Sequence, residues 1–245
     1  MIRGRKTEEE VYNDFIRLVY NRGLIYSLNI FFIGKGQVGK STGVFYISNR
    51  LKQIKLGISK YDAKWNEWDW KKFTCTDSTT FVDLWDEYDS EIISLEEVAE
   101  TMYYLDWTNL MSRVFSSTSA TQGMKKNTCF LITPYFSDLV KNAKGKVDYA
   151  GLFHSRNDEN MTVKLIPKYS RTNFKTFLPE LKPIKQITFK YSKRFLKEAN
   201  KYTNWLKKYK ADVRAKNKQL VRGFNPNKPI SMKNMPLSVR KTMEM

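Results

Sequence analysis

The chain has 245 residues, 41% of them hydrophobic and 14% aromatic, which suits a sizeable buried core and argues against general disorder. No apolar run approaches the ~18 residues that a membrane span requires, and two cysteines with a single histidine exclude a zinc site of the usual Cys/His kind. The net charge of +18 is lopsided: residues 181–245 hold 18 basic and 3 acidic side chains, while residues 1–180 are nearly balanced. A cationic quarter interleaved with aromatics points to an acidic partner, nucleic acid ahead of an anionic surface.

The first residues, Met1 to Lys6, run straight into acidic side chains without an apolar leader core, so the expected location is intracellular, cytoplasmic. Thr7-Glu8-Glu9-Glu10 reads as a capping box opening a helix with Val11, Phe15, Leu18 and Val19 on one face. Asn21-Arg22-Gly23 ends it. Leu28 to Ile33 is a short apolar run, the pattern of a buried parallel strand.

That strand feeds Gly34-Lys35-Gly36-Gln37-Val38-Gly39-Lys40-Ser41-Thr42, which matches the phosphate-loop pattern without a mismatch. A glycine-rich turn lets successive backbone N–H groups converge on the β- and γ-phosphates of a nucleotide. Lys40 is the cation that reaches those phosphates, and the Ser41 hydroxyl is the group that holds Mg²⁺. The helix that follows, with Val44, Ile47 and Leu51 at helical spacing, aims its positive end at the same place.

Trp65, Trp68 and Trp70 crowd a segment with no clear period and read as packing anchors of a connecting loop. Lys72 to Thr76 reads as a short strand, and Asp77 or Ser78 as the cap of a helix carrying Phe81, Leu84 and Trp85. From Phe73 to Ser112 there is no Lys or Arg, and within this stretch Ile92-Ile93-Ser94-Leu95 runs into Glu96-Glu97. An apolar strand ending in two carboxylates downstream of a phosphate loop suits a metal-bound triphosphate. Glu96 then supports Mg²⁺ and Glu97 orients or deprotonates the attacking water.

A helical stretch follows from Thr101 to about Ser119 and contains Arg113; next comes the apolar strand Lys126–Thr133, stopped by Pro134. In an open parallel sheet ligands lie beyond the carboxyl ends of strands, so Thr133 can sense a γ-phosphate or merely satisfy its turn. Tyr149–Ser155 and Met161–Tyr169 read as a hairpin, with Arg156 in its turn. Arg113 and Arg156 are the candidates for an arginine completing a neighbouring subunit's site.

Phe174 to Ile184 reads as irregular. From Ser192 a helix runs to about Lys218, with Phe195, Ala199, Tyr202, Leu206, Tyr209 and Val213 as its apolar stripe and basic residues elsewhere. The residues after Arg222 read as a flexible tail. Cys75 and Cys129 both fall in strand patterns and read as buried free thiols.

Taken together, Gly34–Thr42, the Asp62 to Asp77 region, the helix Thr79–Asp86, Ile92–Glu97, Trp107 with its helix, and Phe130–Pro134 with Asp138 resemble a known family. They look like the small ATPases of archaeal viruses and plasmids, allied to the additional-strand ATPases that include HerA–FtsK translocases, packaging motors and AAA+ proteins. The likeness spans residues 24 to 150 and departs from the family at Glu96, where Asp-Glu is the usual pair. It implies ATP and Mg²⁺ as cofactors, hydrolysis, a homo-oligomer, and DNA as the partner of the basic C-terminal region.

The same loop also resembles that of ParA/MinD partition ATPases, in which Lys35 would reach a partner's nucleotide; their Asp-x-Asp strand has no counterpart here. A small-molecule kinase is the third class, and it has no use for the basic C-terminal region. The expected fold is an α/β three-layer sandwich with a mainly parallel sheet, a β-hairpin and a basic C-terminal helix. Residues 1–180 form the ATPase domain in this reading, and 181–245 the basic helix and tail.

Overall fold

The structure, a computed structural model, describes residues 8–25, 27–36, 38–58, 64–96, 125–134, 148–156, 160–167, 171–173, 178–180 and 185–222. Its centre is β1 (Leu28–Ile33), whose apolar run is buried along nearly its whole length. A strand covered on both faces has no solvent side, so it shows no alternation. Around it lies a seven-stranded sheet. In chain order the other strands are β2 (Thr74–Cys75), β3 (Ile92–Leu95), β4 (Thr128–Thr133), β5 (Tyr149–Arg156), β6 (Asn160–Pro167) and β9 (Lys185–Lys190). A separate two-stranded ribbon joins β7 (Arg171–Asn173) to β8 (Leu178–Glu180).

The order across the large sheet is β2-β3-β4-β1-β5-β6-β9. The pairings from β2 to β5 are parallel, and those of β5 with β6 and β6 with β9 are antiparallel. This is a mainly parallel α/β sheet carrying a hairpin, flanked by helices, as the sequence leads one to expect. Register brings the carboxyl ends of three strands together: Ile33 pairs with Thr133, and Leu95 lies opposite Leu131. One edge of the sheet therefore gathers the segments that follow β1, β3 and β4.

Helix α1 (Glu8–Gly23) buries Phe15, Ile16 and Val19 and packs against β9 and α2. Helix α2 (Lys40–Lys55) is largely buried, with Val44, Phe45, Ile47 and Leu51 in the core. Its far end is tied to the start of β3 by Lys52, whose ammonium lies 2.9 Å from Glu91. The turn α3 (Trp70–Phe73) and helix α4 (Ser78–Glu87) are each opened by an aspartate: Asp69 accepts from the Lys72 N–H and Asp77 from the Thr80 N–H. Such caps satisfy N–H groups that a helix start leaves without partners.

The last described element, α5 (Lys193–Arg222), lays its stripe of Phe195, Ala199, Tyr202 and Leu206 into the same core, against α2. An aromatic cluster forms the joint. Phe45 of α2 stacks on Tyr202 at 5.0 Å between ring centres, and Phe195 meets Tyr46 and Trp65 at 4.9 Å each. Trp68 is fully buried, its indole N–H donating to the Ile92 carbonyl at 2.8 Å. Trp70 packs edge-on to Trp205 of α5 at 5.0 Å. The tryptophan segment thus clamps the loop between α2, β3 and α5.

Two expectations are corrected. The strand expected over Lys72–Thr76 is only Thr74–Cys75, because the capped turn at Trp70–Phe73 claims the residues before it. The stretch Phe174–Ile184, expected to be irregular, contains β8, and β9 follows directly as the outer strand beside β6. Ile187 and Phe189 alternate inward along β9, the ordinary period of a half-buried strand. Cys75 and Cys129 are free and fully buried, and burial pushes both thiols up. Among the described residues no helix is long and apolar enough to cross a membrane. The expected helix at 101–119, Arg113, Asp138 and the tail lie outside the described residues.

Candidate nucleotide-phosphate site

The segment from Gly34 to Thr42 leaves the carboxyl end of β1 and turns into α2. Glycine is required at two points. At Gly34 a Cβ would lie 2.8 Å from both the Phe153 carbonyl oxygen and Val38 Cγ2. Gly39 caps α2 with φ 85°, in the left-handed region, and no side chain caps that helix end. The first amides of α2 thus face a cavity of about 540 Å³ lined by Gly36, Gly39, Lys40, Ser41 and Thr42. Lys40 folds back over the loop, its ammonium donating to the Gly34 carbonyl and, at 2.9 Å, to that of Lys35. The Lys35 side chain is exposed.

Glu96 is the first residue past β3 and is completely buried, on the same cavity. The Ser41 hydroxyl donates to its Oε2 at 2.8 Å, joining two positions that are 55 residues apart. A buried carboxylate is costly unless its oxygens are partnered. Here they are: Tyr202 of α5 donates to Oε1 at 3.1 Å, and the Lys210 ammonium lies 3.2 Å from Oε2. Burial, followed by the charge of Glu96, pushes the Tyr202 hydroxyl well up, so it stays protonated and remains a donor.

Thr133 ends β4, fully buried, and lines the cavity with Ile132 and Pro134. The Pro134 carbonyl accepts from the Gly34 N–H at 3.3 Å, stitching the end of β4 to the loop. Of the residues expected at the site, Gly36, Gly39, Lys40, Ser41, Thr42, Glu96 and Thr133 line one cavity, while Gly34, Lys35 and Val38 are outside its lining. Gln37 and Glu97 lie outside the described residues, as does the side chain of Arg156.

Sequence reasoning did not find the fourth wall. Asn200, Asn204, Lys207 and Lys210 of α5 also line the cavity. In the sequence Lys207 and Lys210 read as part of a basic outer face and Tyr202 as core. Tyrosine hydroxyls in an otherwise apolar seam, at Tyr202 and Tyr209, are the signal that a buried acceptor can lie there. Among the described residues no group of three or more His, Cys, Asp or Glu side chains could hold a metal by itself.

The strand between β1 and β3 is β4, so one strand separates the phosphate-loop strand from the carboxylate strand. No family model and no curated protein matches the sequence. The structure is similar to the N-terminal domain of zonular occludens toxin from Neisseria meningitidis, with 11% identity, 69% of this chain and 97% of that one covered, and a TM-score of 0.43. It is also similar to the genome packaging NTPase B204 of Sulfolobus turreted icosahedral virus 2 in complex with ATP-gammaS, with 11% identity, 65% and 98% covered, and a TM-score of 0.35. A third solved structure, an ATPase domain, gives 7% identity, 79% and 98% covered, and a TM-score of 0.37.

Proposed function

We propose that the chain is a P-loop ATPase that hydrolyses Mg·ATP and couples turnover to handling of DNA, in translocation, packaging or replication of a viral or plasmid genome. The contact between Ser41 and Glu96 at the mouth of the glycine loop carries this reading. The donor set fits a divalent cation: a hydroxyl and a carboxylate oxygen lie 2.8 Å apart, and that same oxygen already attracts an ammonium. Ser41 and Glu96 would hold Mg²⁺, which supplies neutralisation of the β- and γ-phosphates.

The rest is work for the chain's own groups. The amides of Gly34 to Thr42 bind the phosphates, and Lys40 leaves its two loop carbonyls for the β/γ oxygens. Glu97 takes the proton of the attacking water, and Thr133 senses the γ-phosphate from the end of β4. A homo-oligomer would complete the site with Arg113 or Arg156 of a neighbouring subunit. The +18 net charge, carried almost wholly by the C-terminal quarter, supports an acidic polymer as the partner.

The test is steady-state ATP hydrolysis with and without DNA, alongside Lys40→Ala and Glu97→Gln. Turnover stimulated by DNA and reduced at least about a hundred-fold in both variants is the expected result. Nucleotide-driven dimerisation that Lys35→Ala abolishes, with no DNA stimulation, would favour the partition-type switch instead. Phosphate transfer to a small acceptor would favour the kinase.

A further inference from the structure

Helix α5 does more than cover the core. Its Asn200, Asn204, Lys207 and Lys210 face the phosphate loop across one cavity. Lys210 is the residue whose position has chemical consequence. Its side chain is 18% exposed, and its ammonium lies 3.2 Å from Oε2 of Glu96, a side chain only 1% exposed. That oxygen is also the acceptor of the Ser41 hydroxyl.

A divalent cation held by Ser41 and Glu96 and the Lys210 ammonium would claim the same carboxylate oxygen. Two cations repel strongly at such range in a partly buried site. The ammonium rides on a flexible four-carbon stem, so it can move while its helix stays in place. The helix is held: Leu206 is buried one turn earlier, and Tyr202 is locked between Phe45 and Oε1 of Glu96. A bound triphosphate would bring several negative charges into the cavity that the loop and α5 line together.

Resting on the nucleotide-binding reading above, we propose that Lys210 is a phosphate-contact residue supplied by the chain's own α5. It neutralises Glu96 when the site lacks nucleotide and moves to the terminal phosphate when Mg·ATP binds. The loop amides and Lys40 serve the β-phosphate in either nucleotide, so Lys210 distinguishes a triphosphate from a diphosphate.

Calorimetric titration of the full chain with Mg·ATPγS and with Mg·ADP tests this. Lys210→Met keeps the length of the side chain and a good helix former, Lys210→Arg keeps the charge, and Lys201→Met controls for a general loss of basic charge on α5. Lys210→Met should weaken Mg·ATPγS about ten-fold and Mg·ADP less than about two-fold, the effect of one charge-assisted contact. Lys210→Arg should restore most of the difference, and Lys201→Met should change neither. Equal losses for both nucleotides, no loss, or tighter binding in Lys210→Met would overturn the assignment while leaving the nucleotide site itself standing. A wild-type chain that binds neither nucleotide overturns both.

Discussion

Glu96 has one methylene more than the aspartate its family resemblance leads one to expect, and the structure makes use of that reach. Oε2 meets Ser41 and Lys210 while Oε1 turns to Tyr202, so both oxygens of a fully buried carboxylate are partnered. Tyr202 is a positioning residue in this arrangement, because its hydroxyl touches Glu96 and its ring is held by Phe45. Tyr202→Phe removes the hydroxyl and keeps the stacking. The fold should survive with a loss of about 1 kcal/mol, the value of one hydrogen bond. The Mg²⁺ concentration that half-activates hydrolysis should rise several-fold. Lower thermal stability with an unchanged Mg²⁺ midpoint would leave Tyr202 a packing residue only.

At the scale of elements, the joint between α2, the tryptophan segment and α5 holds the site's fourth wall in place. Phe195 is fully buried and touches Phe45, Tyr46, Trp65 and Tyr191. Phe195→Ala should destabilise the chain by about 3–5 kcal/mol, as core aromatic truncations do. Denaturant unfolding measures this; a loss under about 1 kcal/mol would mean that α5 is only loosely seated. Much of this architecture was legible from local patterns. The apolar runs of β1, β3 and β4 marked a parallel core, the glycine loop marked its ligand edge, and the hairpin showed as two alternating runs. What stayed hidden had physical causes. Phe174 to Ile184 reads as irregular, yet Pro179 within it sits in β8 of a two-stranded ribbon, where a missing N–H can be borne. Lys207 and Lys210 look the same in sequence whether their face meets water or a cavity.

For the whole molecule, the separation of charge is the dominant fact. Residues 181–245 carry +15 of the +18, and the basic helix α5 within them also lines the candidate cavity. If about six DNA phosphates are neutralised, log K should fall against log salt with a slope of roughly −5. Fluorescence anisotropy at several salt concentrations reads that slope, and a flat response would remove DNA as the partner of this surface. By linkage, a ligand that grips α5 and one that occupies the cavity must alter each other's affinity if the helix position differs between the two states.

The pairing of Glu96 with Tyr202 and Lys210 also sets an order of events during synthesis. These contacts span 106 and 114 residues of chain. At about 5–20 residues per second, on the order of ten seconds pass between translation of Glu96 and translation of Lys210. In that interval the nascent chain has its glycine loop and its acidic strand end, but neither hydroxyl nor ammonium from α5 to receive the carboxylate. The aromatic faces of Phe45 and Trp68 wait uncovered for the same helix. The cavity is thus begun early and finished late, and a ribosome that stalls before α5 leaves both a bare acid and a sticky surface.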